Sequence, residues 1–115
     1  MNAVPCIFCR IIAGEIPGDF VLQDEHVVAF RDINPRAPLH VLVVPRRHIE
    51  SVGTLAEDDR AVAGWLLQAA AVVARQEGVA DRGYRVVANT GPESGSEVAH
   101  LHLHVLGGRQ MRGMG

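Results

Sequence analysis

Residues 100–105 read His-Leu-His-Leu-His-Val, a strict alternation of imidazole and aliphatic side chains. In a β-strand successive side chains leave opposite faces. His100, His102 and His104 then line one side, each about 6.5 Å from the next, while Leu101, Leu103 and Val105 point into a core. The run therefore demands a sheet with one apolar face and one chemically active face. Half of the chain's 6 histidines sit here. A lone histidine is most often a structural residue with its nitrogens satisfied. Three in alternation, flanked by glycine-bearing loops, either coordinate a metal or divide nucleophilic attack, proton handling and phosphate binding among themselves.

The rest of the chain supplies what that strand must pair with. Ala99–Leu106 is expected as the last of five strands. Phe20–Gln23 and His26–Arg31 form a hairpin across Asp24-Glu25, His40–Pro45 is β-branched and reads as a buried strand, and Tyr84–Ala88 completes the set. Pro35 and Pro38 keep the segment before His40 a loop, and Asn89–Ser96 is a second loop rich in Gly and Ser. Cys6–Ala13, ended by Gly14, allows about two turns of helix. Thr54 followed by Glu57 has the spacing of a capping box, after which Val62, Trp65, Leu66, Ala69, Val72 and Val73 recur at helical intervals until Gly78. That stripe, Trp65 included, is expected to face the sheet as core. The expected class is α+β: a five-stranded antiparallel sheet with one long helix on one face and a short N-terminal helix.

Length and charge narrow the function. At 115 residues the chain has room for one core, so residues 1–115 are expected as a single domain. Hydrophobic residues at 48% and charged residues at 21% place it far from disordered sequences. With 11 basic against 13 acidic side chains there is no footprint for a long phosphate backbone. Nucleic acid is therefore not an expected partner, while a single nucleotide stays open. Met1–Pro5 carries no basic segment leading into an apolar run. The most apolar stretch, Trp65–Ala74, is interrupted by Gln68 and too short for a bilayer, so a cytoplasmic protein without membrane contact is expected. Cys6 and Cys9, in C-x-x-C spacing, are too few for a secreted disulfide scaffold and point to metal or redox chemistry.

The segment His100-Leu101-His102-Leu103-His104-Val105-Leu106-Gly107-Gly108-Arg109-Gln110-Met111 resembles the signature of the histidine triad (HIT) family, in particular its Hint branch of nucleoside phosphoramidases. The resemblance extends to Ile7-Phe8, Glu15-Ile16-Pro17, Ala29-Phe30-Arg31-Asp32-Ile33, Ala37-Pro38-Leu39-His40 and Val44-Pro45-Arg46-Arg47-His48-Ile49, in the family's order and spacing. It covers nearly the whole chain. It implies the HIT-like fold and the cleavage of purine nucleoside 5′-phosphoramidates, of the AMP-amine or aminoacyl-adenylate type. By this resemblance His102 attacks the α-phosphorus and leaves a nucleotidyl-imidazole that water hydrolyses. The carbonyl of His100 fixes the tautomer of His102. His104 donates to a non-bridging phosphate oxygen. His40 matches the family histidine near the nucleophile, with a structural role at the strand start as the alternative.

The same carry-over implies the nucleotide pocket. Asp32 accepts both ribose hydroxyls, a task suited to paired carboxylate oxygens. Ile7, Phe30 and Ile33 form an apolar slot for the base. Asn89 and the backbone at Gly95, Glu97 and Val98 meet the phosphate side. Glu97 is a departure, since well-known Hint members carry serine there and others an acidic residue. A carboxylate beside a phosphate is repulsive unless it faces the departing amine.

Cys6, Cys9, His48 and His100 match the zinc ligands of some family members, whereas other members lack the cysteines. Two thiolates and two imidazoles suit a closed tetrahedral structural site. Packing of a small helix, or a redox pair, are the alternatives for C-x-x-C. No organic cofactor is expected. A homodimer with sheets joined edge to edge is implied, and the tail Arg112-Gly113-Met114-Gly115 lacks the tryptophan with which some relatives reach the partner's site. Two further readings stand beside the phosphoramidase: a dinucleoside polyphosphate hydrolase, which Leu106-Gly107-Gly108-Arg109 disfavours, and a nucleotide-sensing interaction protein whose turnover is incidental.

Overall fold

Leu39–Pro45 is buried at every position and forms the central strand of the sheet. The computed structural model describes residues 6–95 and 98–115. In chain order the elements are α1 (Ile7–Ile12), β1 (Phe20–Gln23), β2 (Val27–Arg31), β3 (Leu39–Pro45), α2 (Arg60–Gln76), β4 (Tyr84–Val87) and β5 (Leu103–Gly107). The strands lie in the order β1-β2-β3-β5-β4, and every neighbouring pair is antiparallel. This is the expected α+β architecture.

Strand alternation divides the interior into two apolar clusters. Val41, Val43, Leu101, Leu103 and Val105 join Val62, Leu66, Ala69, Ala70, Val73 and Ala74 of α2 on one side of the sheet. Val28, Phe30, Leu42 and Val44 join Phe8 and Ile11 of α1 on the other. The second cluster stops short of β5, and the histidines fill the space that remains.

Three details depart from the sequence expectations. The last strand begins at Leu103, not Ala99. Pairing with β3 ends at Val43↔Leu103. Two steps further on, Pro45 has no N–H to give a ladder. The chain there is held differently: Leu101 N–H donates to the Ile49 carbonyl at 2.6 Å. The face assignment nevertheless holds, with Leu101 in the α2 core and His102 on the opposite side.

Thr54 does not cap the long helix, which starts at Arg60. Its hydroxyl accepts from Ser51 N–H at 3.2 Å and donates to the Ser51 carbonyl at 3.0 Å, closing a 3₁₀ turn over Val52–Thr54. Trp65 is not core either. It lies on a flank of the apolar stripe, 37% exposed, and stacks on His26 with ring centroids 3.7 Å apart and planes at 11°. Ala70 and Ala74 fill the contact with the sheet instead.

Candidate active site and metal cluster

Opposite α2, a cavity of about 810 Å³ opens between α1, the end of β2, the loop after β4 and the start of β5. Its lining includes Ile7, Phe30, Asp32, Ile33, Asn89, Gly95, Val98, His102 and His104, all expected nucleotide contacts. Glu97 lies outside the described residues. Ile33 is 91% exposed, an apolar side chain at the cavity mouth that a flat hydrophobic ligand would cover. The volume is that of an ordinary small-molecule site.

His102 is buried at the base of this cavity. Its Nδ1 lies 2.7 Å from the His100 carbonyl. A carbonyl only accepts, so Nδ1 carries the proton and Nε2 is left with its lone pair. The Phe8 ring packs edge-on at 5.1 Å and restrains the imidazole. His104 lies beside it, ring centroids 5.0 Å apart. Burial, reinforced by the neighbouring His102 and His40, pushes the His104 pKa down to about 4 and keeps the ring neutral at ordinary pH.

His40 does not line the cavity but sits behind His104. Its Nε2 is 2.9 Å from His104 Nδ1 and 3.5 Å from an Asp32 carboxylate oxygen, and its Nδ1 accepts from Arg36 N–H at 3.1 Å. Burial lowers its pKa, against the opposing pull of Asp32. The other Asp32 oxygen accepts from Asn34 N–H at 2.8 Å, which fixes the carboxylate at the end of β2.

His100 is fully buried and serves a different group. Its Nδ1 lies 3.2 Å from Cys6 Sγ, 3.6 Å from Cys9 Sγ and 3.1 Å from His48 Nδ1, while Cys9 Sγ is 3.4 Å from His48 Nδ1. The four donor atoms lie within 4.8 Å of one another. Cys6 caps α1, its sulfur accepting from Cys9 N–H at 3.4 Å, so one turn of helix places both thiols together. Burial raises the Cys9 thiol pKa to about 11, with the neighbouring Cys6 adding to the shift. Both cysteines are free thiols.

Phe8, Asp19, Leu42 and Arg36 also line the cavity, and the sequence assigned none of them a role there. Phe8 stood in a motif without a role. The others carry no motif: they arrive because β3 alternates and because the loops around Pro17 and Pro35 fold back over the site.

The HIT domain family profile matches residues 13–111. The purine nucleoside phosphoramidase of Escherichia coli (strain K12) is 46% identical over 105 residues, which are 91% of this chain and 88% of the relative. The 14 kDa zinc-binding protein of Zea mays is 50% identical over 109 residues, 93% of this chain and 84% of that protein. Among solved structures, a HIT family hydrolase from Legionella pneumophila Philadelphia 1 matches with a TM-score of 0.92 at 44% identity, covering 94% of this chain and 96% of the other.

Proposed function

The chain belongs to the HIT domain family, and on that premise we propose that it hydrolyses purine nucleoside 5′-phosphoramidates through a nucleotidyl intermediate on His102. One observation carries the reading: the His100 carbonyl holds the Nδ1 proton of His102 at 2.7 Å, so that a buried, restrained Nε2 lone pair faces the cavity. The attack forms an N–P bond as the P–N bond breaks, and the departing nitrogen takes a proton from solvent water in the open cavity to leave as the amine. Water then cleaves the nucleotidyl-imidazole and returns the neutral ring, splitting one hard displacement into two easier ones. His104 donates to a phosphoryl oxygen as charge grows there. Asp32 takes the ribose diol, and Ile7, Phe30 and Ile33 hold the base. The name of the Escherichia coli relative supports the substrate class.

Intact-protein mass after a brief incubation with adenosine 5′-phosphoramidate tests this. An added adenylyl mass that decays with AMP release is expected, and is absent in His102→Ala. Turnover by the alanine variant at the native rate overturns the assignment.

We further propose a structural zinc held by Cys6, Cys9, His48 and His100. The donors fit: nitrogen–nitrogen and nitrogen–sulfur separations of 3.1–3.6 Å match the edges of a zinc tetrahedron, about 3.3 and 3.6 Å from ordinary bond lengths. His100 Nε2 lies 3.0 Å from the Pro45 carbonyl, which takes its proton and turns the Nδ1 lone pair inward, as metal-bound imidazoles require. Bound zinc would clamp α1 to the segment before β5. Such thiols suit the reducing cytoplasm. No helix of the described residues is long and apolar enough to cross a membrane.

A homodimer is part of the proposal. β4 lies at an open edge of the sheet with Tyr84 and Val86 each 37% exposed, a strand that calls for a partner.

A further inference from the structure

We infer that one backbone donor, the N–H of Arg36, sets the hydrogen-bonding direction of the His40–His104 pair, so that His104 offers the cavity an N–H at Nε2 and no lone pair. His40 is then a positioning residue for the phosphate-binding donor.

A backbone N–H can only donate, so His40 Nδ1, 3.1 Å from it, must accept and is unprotonated. A neutral imidazole keeps one proton, which places it on His40 Nε2. The partner of that nitrogen at 2.9 Å, His104 Nδ1, must therefore accept in turn. With Nδ1 unprotonated, neutral His104 carries its proton on Nε2. The reverse wiring would leave both His40 nitrogens bare. Asp32, 3.5 Å from His40 Nε2, is a second acceptor for the same proton and agrees with this direction.

The donor is itself held. The Arg109 guanidinium donates to the Arg36 carbonyl at 2.9 Å, tying the loop to the end of β5. Gly108, at φ +92°, lets that approach happen, since a Cβ there would fall 2.8 Å from Pro38 Cβ.

Two consequences follow. Asp32, His40 and His104 bring ligand atoms within 4.8 Å of one another, the spacing of a metal site. Yet His40 Nε2 holds a proton where a metal needs a lone pair, so the group does not take a divalent cation. Next, His102 and His104 present opposite polarity side by side, a lone pair and an N–H, which fits an electrophilic phosphorus and its oxygen.

Imidazole ¹⁵N–¹H correlation spectra of the full chain at pH 7, with and without AMP, read the tautomers directly. His40 and His104 protonated at Nε2, with His102 protonated at Nδ1, is the expected result. In His40→Gln the amide oxygen can accept from Arg36 and the amide nitrogen can donate to His104, so His104 keeps its Nε2 proton and kcat stays within about tenfold. In His40→Glu both ends accept, so His104 gains a proton at Nδ1; at pH 9, where the carboxylate-paired ring is neutral, Nε2 is left bare and kcat falls by about 100-fold or more, the cost of losing one such donor. Zinc titration of the native protein should find no ion that AMP displaces. A protonated Nδ1 on native His40, the same His104 state in both variants, or an AMP-displaced zinc overturns the inference. If either variant fails to fold, the native spectrum decides alone. Only the kcat arm rests on the proposed hydrolase, so missing turnover with the expected tautomers counts against that reading and not against the wiring.

Discussion

The two histidine groups on this face of the sheet meet different main-chain partners, and their chemistry diverges from that point. Beside His100 stands the Pro45 carbonyl, which takes a proton and turns a lone pair toward Cys6, Cys9 and His48. Beside His40 stands the Arg36 N–H, which takes a lone pair and turns a proton toward His104. Both groups have the residue types and spacing of a metal site. One collects lone pairs; the other alternates donors and acceptors. Proximity of ligating residues thus defines a metal centre only together with the polarity of the fixed backbone around them. His102 joins the groups, because its Nδ1 partner is the carbonyl of a candidate zinc ligand two residues earlier.

The division of labour can be broken most sharply at His102, the proposed nucleophile. His102→Ala should lose hydrolysis by about 1,000-fold or more while AMP affinity changes only a few-fold, since the nucleophile acts mainly in the transition state. Its metal content and Tm should stay near native. Turnover assays beside calorimetry check both halves, and a large loss of zinc in this variant would merge the two regions.

Asp32→Ala should weaken nucleoside monophosphate binding by about 1.5–3 kcal/mol through lost charged hydrogen bonds to ribose. Titration calorimetry with AMP and its dideoxy analogue measures this. Equal affinity of the native protein for the two nucleotides removes Asp32 from the ribose role.

Cys6→Ser should do the opposite of His102→Ala. Native protein purified without chelator should carry about one zinc per chain, and the variant should lose it with a lower Tm, because metal binding to the folded site adds to stability. AMP affinity should hold within a few-fold. Elemental analysis and melting curves settle the point, and freely reactive thiols in the folded native protein would count against zinc.

The smallest effect is that of pH on the zinc-free Cys6→Ser variant. Burial holds His104 at about 4 and lowers both His40 and His100, so these rings resist protonation in the folded chain. Unfolded histidines take up protons near pH 6.5. The unfolded state therefore binds more protons between about pH 6.5 and 4, and stability, complete above that window, should fall as pH drops through it. Urea midpoints from pH 7.5 to 4.5 measure the slope. A flat profile would show that these buried histidines take up protons as readily in the folded chain as in the unfolded one.

Much of this was written in the alternation at 100–105, which correctly sorted His102 and His104 to one face and Leu103 and Val105 to the other. Alternation does not say where a ladder ends. That depended on Pro45, which lies 55 residues before His100 and became its neighbour only on folding. Asp32 and Ile33 were legible through motif resemblance, because they sit in a contiguous block. Asp19 and Leu42 were not, since they reach the cavity through loop closure and strand pairing. Periodicity put Trp65 in the core, but a stripe's flank is set by the width of the sheet beneath it, which no helical interval encodes. Arg36 was unreadable in principle, because its contribution is a main-chain N–H that any residue but proline would supply.

Trp65 is the chain's 1 tryptophan, and it rests on the His26 ring on the α2 side, away from the cavity. An imidazole in face contact quenches an indole, so the emission of this protein should brighten when that stack opens. Binding in the cavity leaves the stack alone. The light from this one side chain therefore counts folded molecules and is blind to the nucleotide, which makes it a clean optical gauge of unfolding even in a solution saturated with ligand.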